Sequence, residues 1–310
     1  MSPLIVLVLA IIVFSLVSGG KFATAGNFGL ITQQVSVVGT LAIGQTLIIL
    51  TAGIDLSVGA VMVLSSMVMA KTSFENGFPG WLSLLLGFIV GLIAGGINGF
   101  LVTKVKLPPF IVTLGTLSIF TAITLLYATG RTIRGQEMAP LLTWLGTPIK
   151  LGGFVITIAV ILMLLLYVVV GYALRYTAWG RHVYATGDDP GAARLAGIEV
   201  NRVLFSVYLV GGLIFAIAGW VLIGRIGAAS PSLDIPQYAL SAITAVVIGG
   251  TSLFGGRGQV IGTLIGALIV AVFMNGLIIA GLDTYYVTLA VGILVILAVA
   301  SDQWIRKARS

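Results

Sequence analysis

The sequence predicts an all-α protein: a polytopic transmembrane helical bundle of about ten spans, with pseudo-symmetric halves and a short helix held out into the cytoplasm. Three observations predict it. The 310 residues are 59% hydrophobic and only 8% charged, with a mean hydropathy of +1.17, whereas soluble domains carry about a quarter charged residues. The apolar runs are continuous and not alternating, which excludes a β-barrel. The longest clearly polar run is confined to 175–202. A span takes roughly 20 apolar residues to cross roughly 30 Å of hydrocarbon, so there is room for roughly nine to eleven spans and little else. The 41 glycines suit helices that approach one another closely in lipid.

Apolar runs and the polar punctuation between them place each span in turn. The first covers 4–17; it lacks a basic leader and is read as a retained helix, not a signal peptide cleaved after 23–25. The next four cover 30–50, 55–70, 81–102 and 110–128. A polar connection at 131–150 follows, with a surface helix around 139–145. The sixth span, 154–174, leads into the polar run. The last four cover 203–223, 238–248, 260–279 and 285–300. The whole is a single transmembrane domain, 1–310, with 175–202 as a cytoplasmic loop within it.

Ten spans put both termini on one side. Placed inside, they share that side with Lys104, Lys106, Arg175, Arg181, Arg194, Arg202, Arg257, Arg306, Lys307 and Arg309. Lys21, Lys71, Arg131, Arg134, Lys150 and Arg225 fall outside. The positive-inside rule therefore sets 175–202 in the cytoplasm. The dispersed cations argue against nucleic-acid binding.

Within the polar run lies a compact helix signal. Asp188 or Asp189 can cap a first turn, Pro190 suits the first helical position, and Gly197 can close the last turn. Between them Ala192, Ala193, Leu195 and Ala196 form a small-residue surface suited to a groove on another protein. Two breaks, 53–59 and 250–256, interrupt apolar runs with glycines and hydroxyls, one in each half, as internal repeats near a transport path do.

Asp55 is the acid closest to a span, and such acids are functional candidates; the Asp-Leu-Ser-Val-Gly pattern favours an N-cap for the third helix. Ser57 would pack the start of that helix. Asn98 and Asn275 lie inside apolar runs and need partners in the bundle or along a wet path, interhelical glue being the favoured role. Asp234, Gln237 and Tyr238, with Asp283, Thr284, Tyr285 and Tyr286, read as an interfacial rim or as a surface for an external donor. His182 stands alone in an exposed loop, which speaks against a metal or proton-relay role. Zero cysteines exclude disulfides and thiolate metal sites. No catalytic set is present, and Gly19-Gly20-Lys21-Phe22 lacks the spacing of a phosphate-binding loop. No cofactor or metal is expected, and if transport here is powered, the power comes from another polypeptide.

These residues resemble the membrane permeases of bacterial ATP-binding-cassette importers for sugars of the ribose/galactose/arabinose/xylose type. Three blocks carry the resemblance, in order along almost the whole chain. They are Thr51-Ala52-Gly53-Ile54-Asp55-Leu56-Ser57-Val58-Gly59, Gly187-Asp188-Asp189-Pro190-Gly191-Ala192-Ala193-Arg194-Leu195-Ala196-Gly197-Ile198, and Ala245-Val246-Val247-Ile248-Gly249-Gly250-Thr251-Ser252-Leu253-Phe254-Gly255-Gly256-Arg257-Gly258.

The resemblance implies a homodimer or a pair of related permeases, two cytoplasmic ATPase subunits, and a periplasmic or lipid-anchored sugar-binding protein. It also implies that Gly187, Asp188, Asp189, Pro190, Ala192, Ala193, Arg194, Leu195, Ala196, Gly197 and Ile198 form the helix that couples to the ATPase. Gly191, Ala239 and Ser241 stand where relatives often carry acids, so no acid-specific role passes to them. Asp55, Ser57, Asn98 and Asn275 are the candidates for the path. The readings from other classes are a stand-alone secondary carrier or channel, and a branched-chain amino-acid permease of related architecture.

Overall fold

The structure, a computed structural model, describes the backbone of residues 3–307 and the side-chain surroundings of these except 284, 295, 298 and 301–307. Among the described residues the long helices are α1 (Pro3–Val17), α2 (Ala25–Leu50), α3 (Val58–Glu75), α4 (Gly80–Thr103), α5 (Pro109–Ala128), α7 (Ile158–Tyr176), α8 (Ala178–Asp188), α10 (Val200–Ile226), α11 (Ile235–Ile248), α12 (Val260–Ile279) and α13 (Thr284–Lys307). Two short ones, α6 (Pro140–Thr143) and α9 (Pro190–Leu195), lie in connections. Two antiparallel ribbons complete the chain: β1 (Ile133–Arg134) with β4 (Ala228–Ala229), and β2 (Pro148–Leu151) with β3 (Phe154–Thr157).

Every expected span overlaps a helix, but among the described residues seven helices are long and apolar enough to cross a membrane: α2, α3, α4, α5, α7, α10 and α12. α1, α11 and the apolar stretch Tyr285–Leu294 are shorter. The expected sixth span begins too early: residues 154–157 pair as β3, and α7 starts only at Ile158. The expected third span also begins late, at Val58, because residues 51–57 are non-helical.

Of these seven, the two least apolar, α2 and α3, are the most buried. This follows from the solvent. A hydroxyl or amide facing lipid finds no partner, so polar side chains turn inward. On α2, Thr40 donates to the Ser36 carbonyl at 2.6 Å, Thr46 meets Thr263 of α12 at 2.8 Å, and Tyr167 of α7 donates to the Gly39 carbonyl at 3.0 Å. α4, α5 and α7 turn large apolar side chains outward, among them Ile93, Ile119 and Val168.

Glycines set how close the helices come. Gly87, Gly91, Gly95 and Gly99 repeat every fourth residue on α4, which is one helix face. A Cβ on Gly91 would strike the Gly212 carbonyl of α10, and one on Gly95 the Tyr208 carbonyl. α4 and α10 therefore touch backbone to backbone, where contact between helices is gained from packing and not from expelling water.

α10 has 27 residues and so spans about 40 Å, separating two ends of the molecule. One end carries α8, α9 and the C-termini of α2, α4 and α11. The other carries the ribbons and α6, where Trp220 donates to the Leu141 carbonyl at 3.1 Å and stacks on Trp144. There Glu137 accepts the Arg134 backbone N–H at 2.8 Å and pairs with Arg131 at 2.7 Å, which together hold its carboxyl below the usual range. The cations Arg306, Lys307 and Arg309 lie outside the residues whose side chains are described.

Substitution at the α4–α10 crossing tests this packing. Gly95→Val should destabilise the protein by about 3 kcal/mol or more, because backbone atoms cannot yield. Gly115→Ala, in the exposed part of α5 with open space around it, should be neutral or mildly stabilising. Thermal unfolding of the two variants in detergent, against the parent, measures the contrast; equal midpoints would refute the crossing.

Candidate functional site

The polar run folds as two short helices. Thr177 caps α8, accepting from Gly180 N at 3.1 Å, and Trp179 Nε1 donates to Ser206 of α10 at 2.8 Å. Asp188 ends α8, so the cap of α9 is Asp189, whose Oδ1 accepts from Gly191 N at 2.8 Å and Ala192 N at 3.0 Å. Pro190 occupies the first helical position. Gly197, at φ +83°, closes α9, and Ile198 N donates back to the Ala193 carbonyl at 3.0 Å.

One expected feature needs correction. Ala193 is buried against the protein, so the outward face of α9 is Ala192, Leu195 and Ala196. Leu195 is 93% exposed.

The three blocks noted in the sequence converge at the root of this knob. The Leu50 carbonyl at the end of α2 accepts from Gly256 N at 2.9 Å. A Cβ on Gly187 would run into that same carbonyl and lie 2.7 Å from Gly256 N. Gly255 and Gly256 take positive φ, and a Cβ on Gly256 would stand 2.7 Å from Asp188 Cα. Tyr184 of α8 donates to the Gly258 carbonyl at 3.0 Å. The two glycine-rich breaks are thus neighbours in space, joined through Gly187.

From Leu50 the chain enters a buried polar cluster. α2 ends in a left-handed residue, Ala52 at φ +60°, with Gly53 N returning to the Ile48 carbonyl at 3.0 Å. Asp55 Oδ1 then accepts from Ser57 N at 2.7 Å and Ser57 Oγ at 2.6 Å. Asn98 Nδ2 of α4 donates to Ser57 Oγ at 2.9 Å and lies 3.4 Å from Asp55 Oδ2. Three of the four path candidates therefore meet. All three are buried, with no more than 2% exposure. Asp55 is not the N-cap of α3: Ser57 holds that position without a side-chain cap bond, and Asp55 fixes the turn before it. Asn275 does not join them; it is buried on α12, next to the glycine that packs against Phe14.

Further residues complete the cluster that the sequence reading passed over. Thr113 of α5 donates to the Ile54 carbonyl at 3.0 Å. Gln45 of α2, with its amide turned to satisfy both partners, brackets the Asp55 backbone, donating to its carbonyl at 3.3 Å and accepting from its N–H at 3.2 Å. An amide inside the run Ala42-Ile43-Gly44-Gln45 is the signal that points to such a role. Beyond the cluster, the starts of α3 and α11 meet: the Ile235 carbonyl would lie 2.5 Å from a Cβ on Gly59. Asp234 caps α11, accepting from Gln237 N at 3.3 Å. Among the described residues no group of His, Cys, Asp or Glu could hold a metal ion.

A buried polar kernel inside a bundle of apolar helices, with an exposed helical knob at one end, is the build of a polytopic membrane permease. The chain belongs to the family described as "Branched-chain amino acid transport system / permease component", which matches residues 27–299. Among curated proteins it is similar to the fructose import permease protein of Rhizobium meliloti, 54% identical over 309 residues covering 98% of this chain and 85% of that one. It is also 39% identical to the ribose import permease protein of Bacillus subtilis, over 98% of this chain and 92% of that one. The D-allose transport system permease protein of Escherichia coli is 35% identical over 97% and 91%. No solved structure matches the chain.

Replacing Asp55 distinguishes its two partners. Asp55→Asn keeps an oxygen for Ser57 and should fold with a modest loss. Asp55→Ala strands buried donors and should cost on the order of 3 kcal/mol. Unfolding midpoints and yield in detergent read the difference, and an alanine variant as stable as the parent would contradict the geometry.

Proposed function

We propose that this chain is the permease subunit of an ATP-binding-cassette importer in a bacterial inner membrane, passing a monosaccharide handed over by an external binding protein. The relatives named for fructose, ribose and allose import support the substrate class, and the 54% identity to the first makes fructose the leading candidate. The ATPase is a separate cytoplasmic polypeptide, and a second permease copy, identical or related, completes the path. In this reading α1, α11 and α13 also cross the membrane in part, giving ten spans with both termini inside.

One observation carries the coupling assignment. α9 offers Leu195 to the outside while its base, Gly187, is pressed against the end of α2 and the loop at 251–258. A partner that grips Ala192, Leu195 and Ala196 would move α8, the C-terminus of α2 and then the Asp55 cluster as one piece, since close-packed backbones do not deform gradually. The seven cations from Lys104 to Arg257 that gather at this end agree with a cytoplasmic position. Asp55, Ser57 and Asn98 then act as the joint that transmits the motion to α4. Asn275 remains a path candidate on α12.

Leu195→Glu and Ala196→Arg test the grip without touching buried groups. Each should cut uptake at least tenfold in proteoliposomes holding the ATPase and the binding protein, while the unfolding midpoint stays within about 1 °C of the parent. Full uptake by both variants would remove the coupling assignment. Uptake by the chain alone, driven by an ion gradient, would instead establish a secondary carrier.

A further inference from the structure

We propose that the groove between α7, α8 and the start of α12 holds the headgroup of an anionic phospholipid, a phosphodiester such as that of phosphatidylglycerol. The groove has a volume of about 680 Å³ and is lined by Leu174, Arg175, Arg181, Tyr184, Gln259 and Ile261 among others. That is the size range of pockets that take small molecules, roughly 300 to 1,000 Å³. This inference needs only that α7 and α12 cross the membrane; it is independent of the coupling assignment.

Charge selects the ligand. Two guanidinium groups line the groove and no carboxylate does. Among the described residues neither arginine has an ion-pair partner; Arg175 lies over the Tyr176 ring at 5.4 Å. Asp189, the acid that begins α9, is occupied by two backbone N–H groups of α9. Guanidinium groups match phosphate oxygens with paired donors, so the bare pair favours a phosphodiester over a sugar or a carboxylic acid. The first turn of α12 adds to this in a minor way. Gln259 precedes it without a side-chain cap, which leaves the positive end of a 20-residue helix facing the same space.

Position selects the source of the phosphate. The groove lies at the end of α7, where Arg175 stands in the last turn of a membrane-crossing helix. Its mouth continues into an outward apolar strip: Val168 is 67% exposed and Ile261 71%. Tyr172 and Tyr176, also outward, lie on the last two turns of α7, and such rings favour the headgroup level of a bilayer. A headgroup seated on the arginines would lay its acyl chains along that strip. Basic pockets between membrane helices take anionic headgroups in this manner. A free phosphate or a soluble protein would use the arginines but gain nothing from the strip.

Lipid retention tests the site. The full chain, in detergent, is titrated with phosphatidylglycerol and with phosphatidylcholine and bound lipid is counted by native mass spectrometry. Phosphatidylglycerol should bind at least about 25-fold tighter. Each arginine removed should cost about fivefold, so Arg175→Gln with Arg181→Gln should cost about 25-fold for phosphatidylglycerol and leave phosphatidylcholine unchanged. The lysine pair, Arg175→Lys with Arg181→Lys, should keep most of the preference. An unchanged preference in the glutamine pair, or equal binding of the two lipids by the parent, overturns the proposal. Full displacement by millimolar glycerol 3-phosphate would assign the groove to a soluble phosphoester and overturn it too. Should the glutamine pair fail to fold, photo-crosslinking of the parent with headgroup-labelled phosphatidylglycerol decides. Labels at 171–184 and 258–261 are the expected result, and labels only elsewhere reject it.

Discussion

The carbonyl oxygen of Leu50 is the point at which this molecule is tied together. It is among the last carbonyls of α2 and has no partner in its own helix, and no water stands ready inside a membrane bundle. Gly256 N supplies the bond from the loop after α11, and Gly187 lies against the same atom from α8. Only glycine lets two backbones come so near a third. The need to satisfy one carbonyl thereby fixes three segments that are distant in the sequence, and the knob of α8 and α9 inherits its position from them.

The same constraint orders the bundle from inside to outside. Helices with hydroxyls and amides stand at the centre because lipid offers those groups no bond. α2 shows the consequence most clearly, with Ser36, Thr40, Gln45 and Thr46 all buried. The cluster of Asp55, Ser57 and Asn98 extends this rule to a carboxyl, which is held by two donors from Ser57 at Oδ1 and approached at Oδ2 by the α4 amide that also bonds Ser57 Oγ. Cohesion between helices is then left to close approach, and the fourfold spacing of glycines on α4 supplies it.

Much of this was legible in the order of residues. Long apolar runs forced helices, and Asp189, Pro190 and Gly197 marked α9 because each answers a specific need at a helix end. Asn98 announced itself as a buried amide, although its partner could not be read: Asp55 lies 43 residues away and reaches it only through tertiary packing. Other features left no local trace. Residues 154–157 are as apolar as the span they precede, yet pair as a strand because a tight turn at Gly152 folds them back on 148–151. The burial of Ala193 depends on which way α9 rolls against its neighbours, and a six-residue helix of small side chains does not declare that. Gln45 lies in the middle of an apolar run, and its task of bracketing the Asp55 backbone becomes visible only once residues 51–57 are seen to leave helical geometry.

The placement of the indoles has an optical consequence. Trp179 is bonded to Ser206 beside the knob, whereas Trp144 and Trp220 stack together toward the opposite end, about 20 Å further along α10. Three of the five tryptophans thus sit in dissimilar surroundings, one bonded to a hydroxyl near one end of the bundle and two stacked toward the other. With Trp81 and Trp304 replaced by phenylalanine, the emission of these three reports on the two ends with no label to attach.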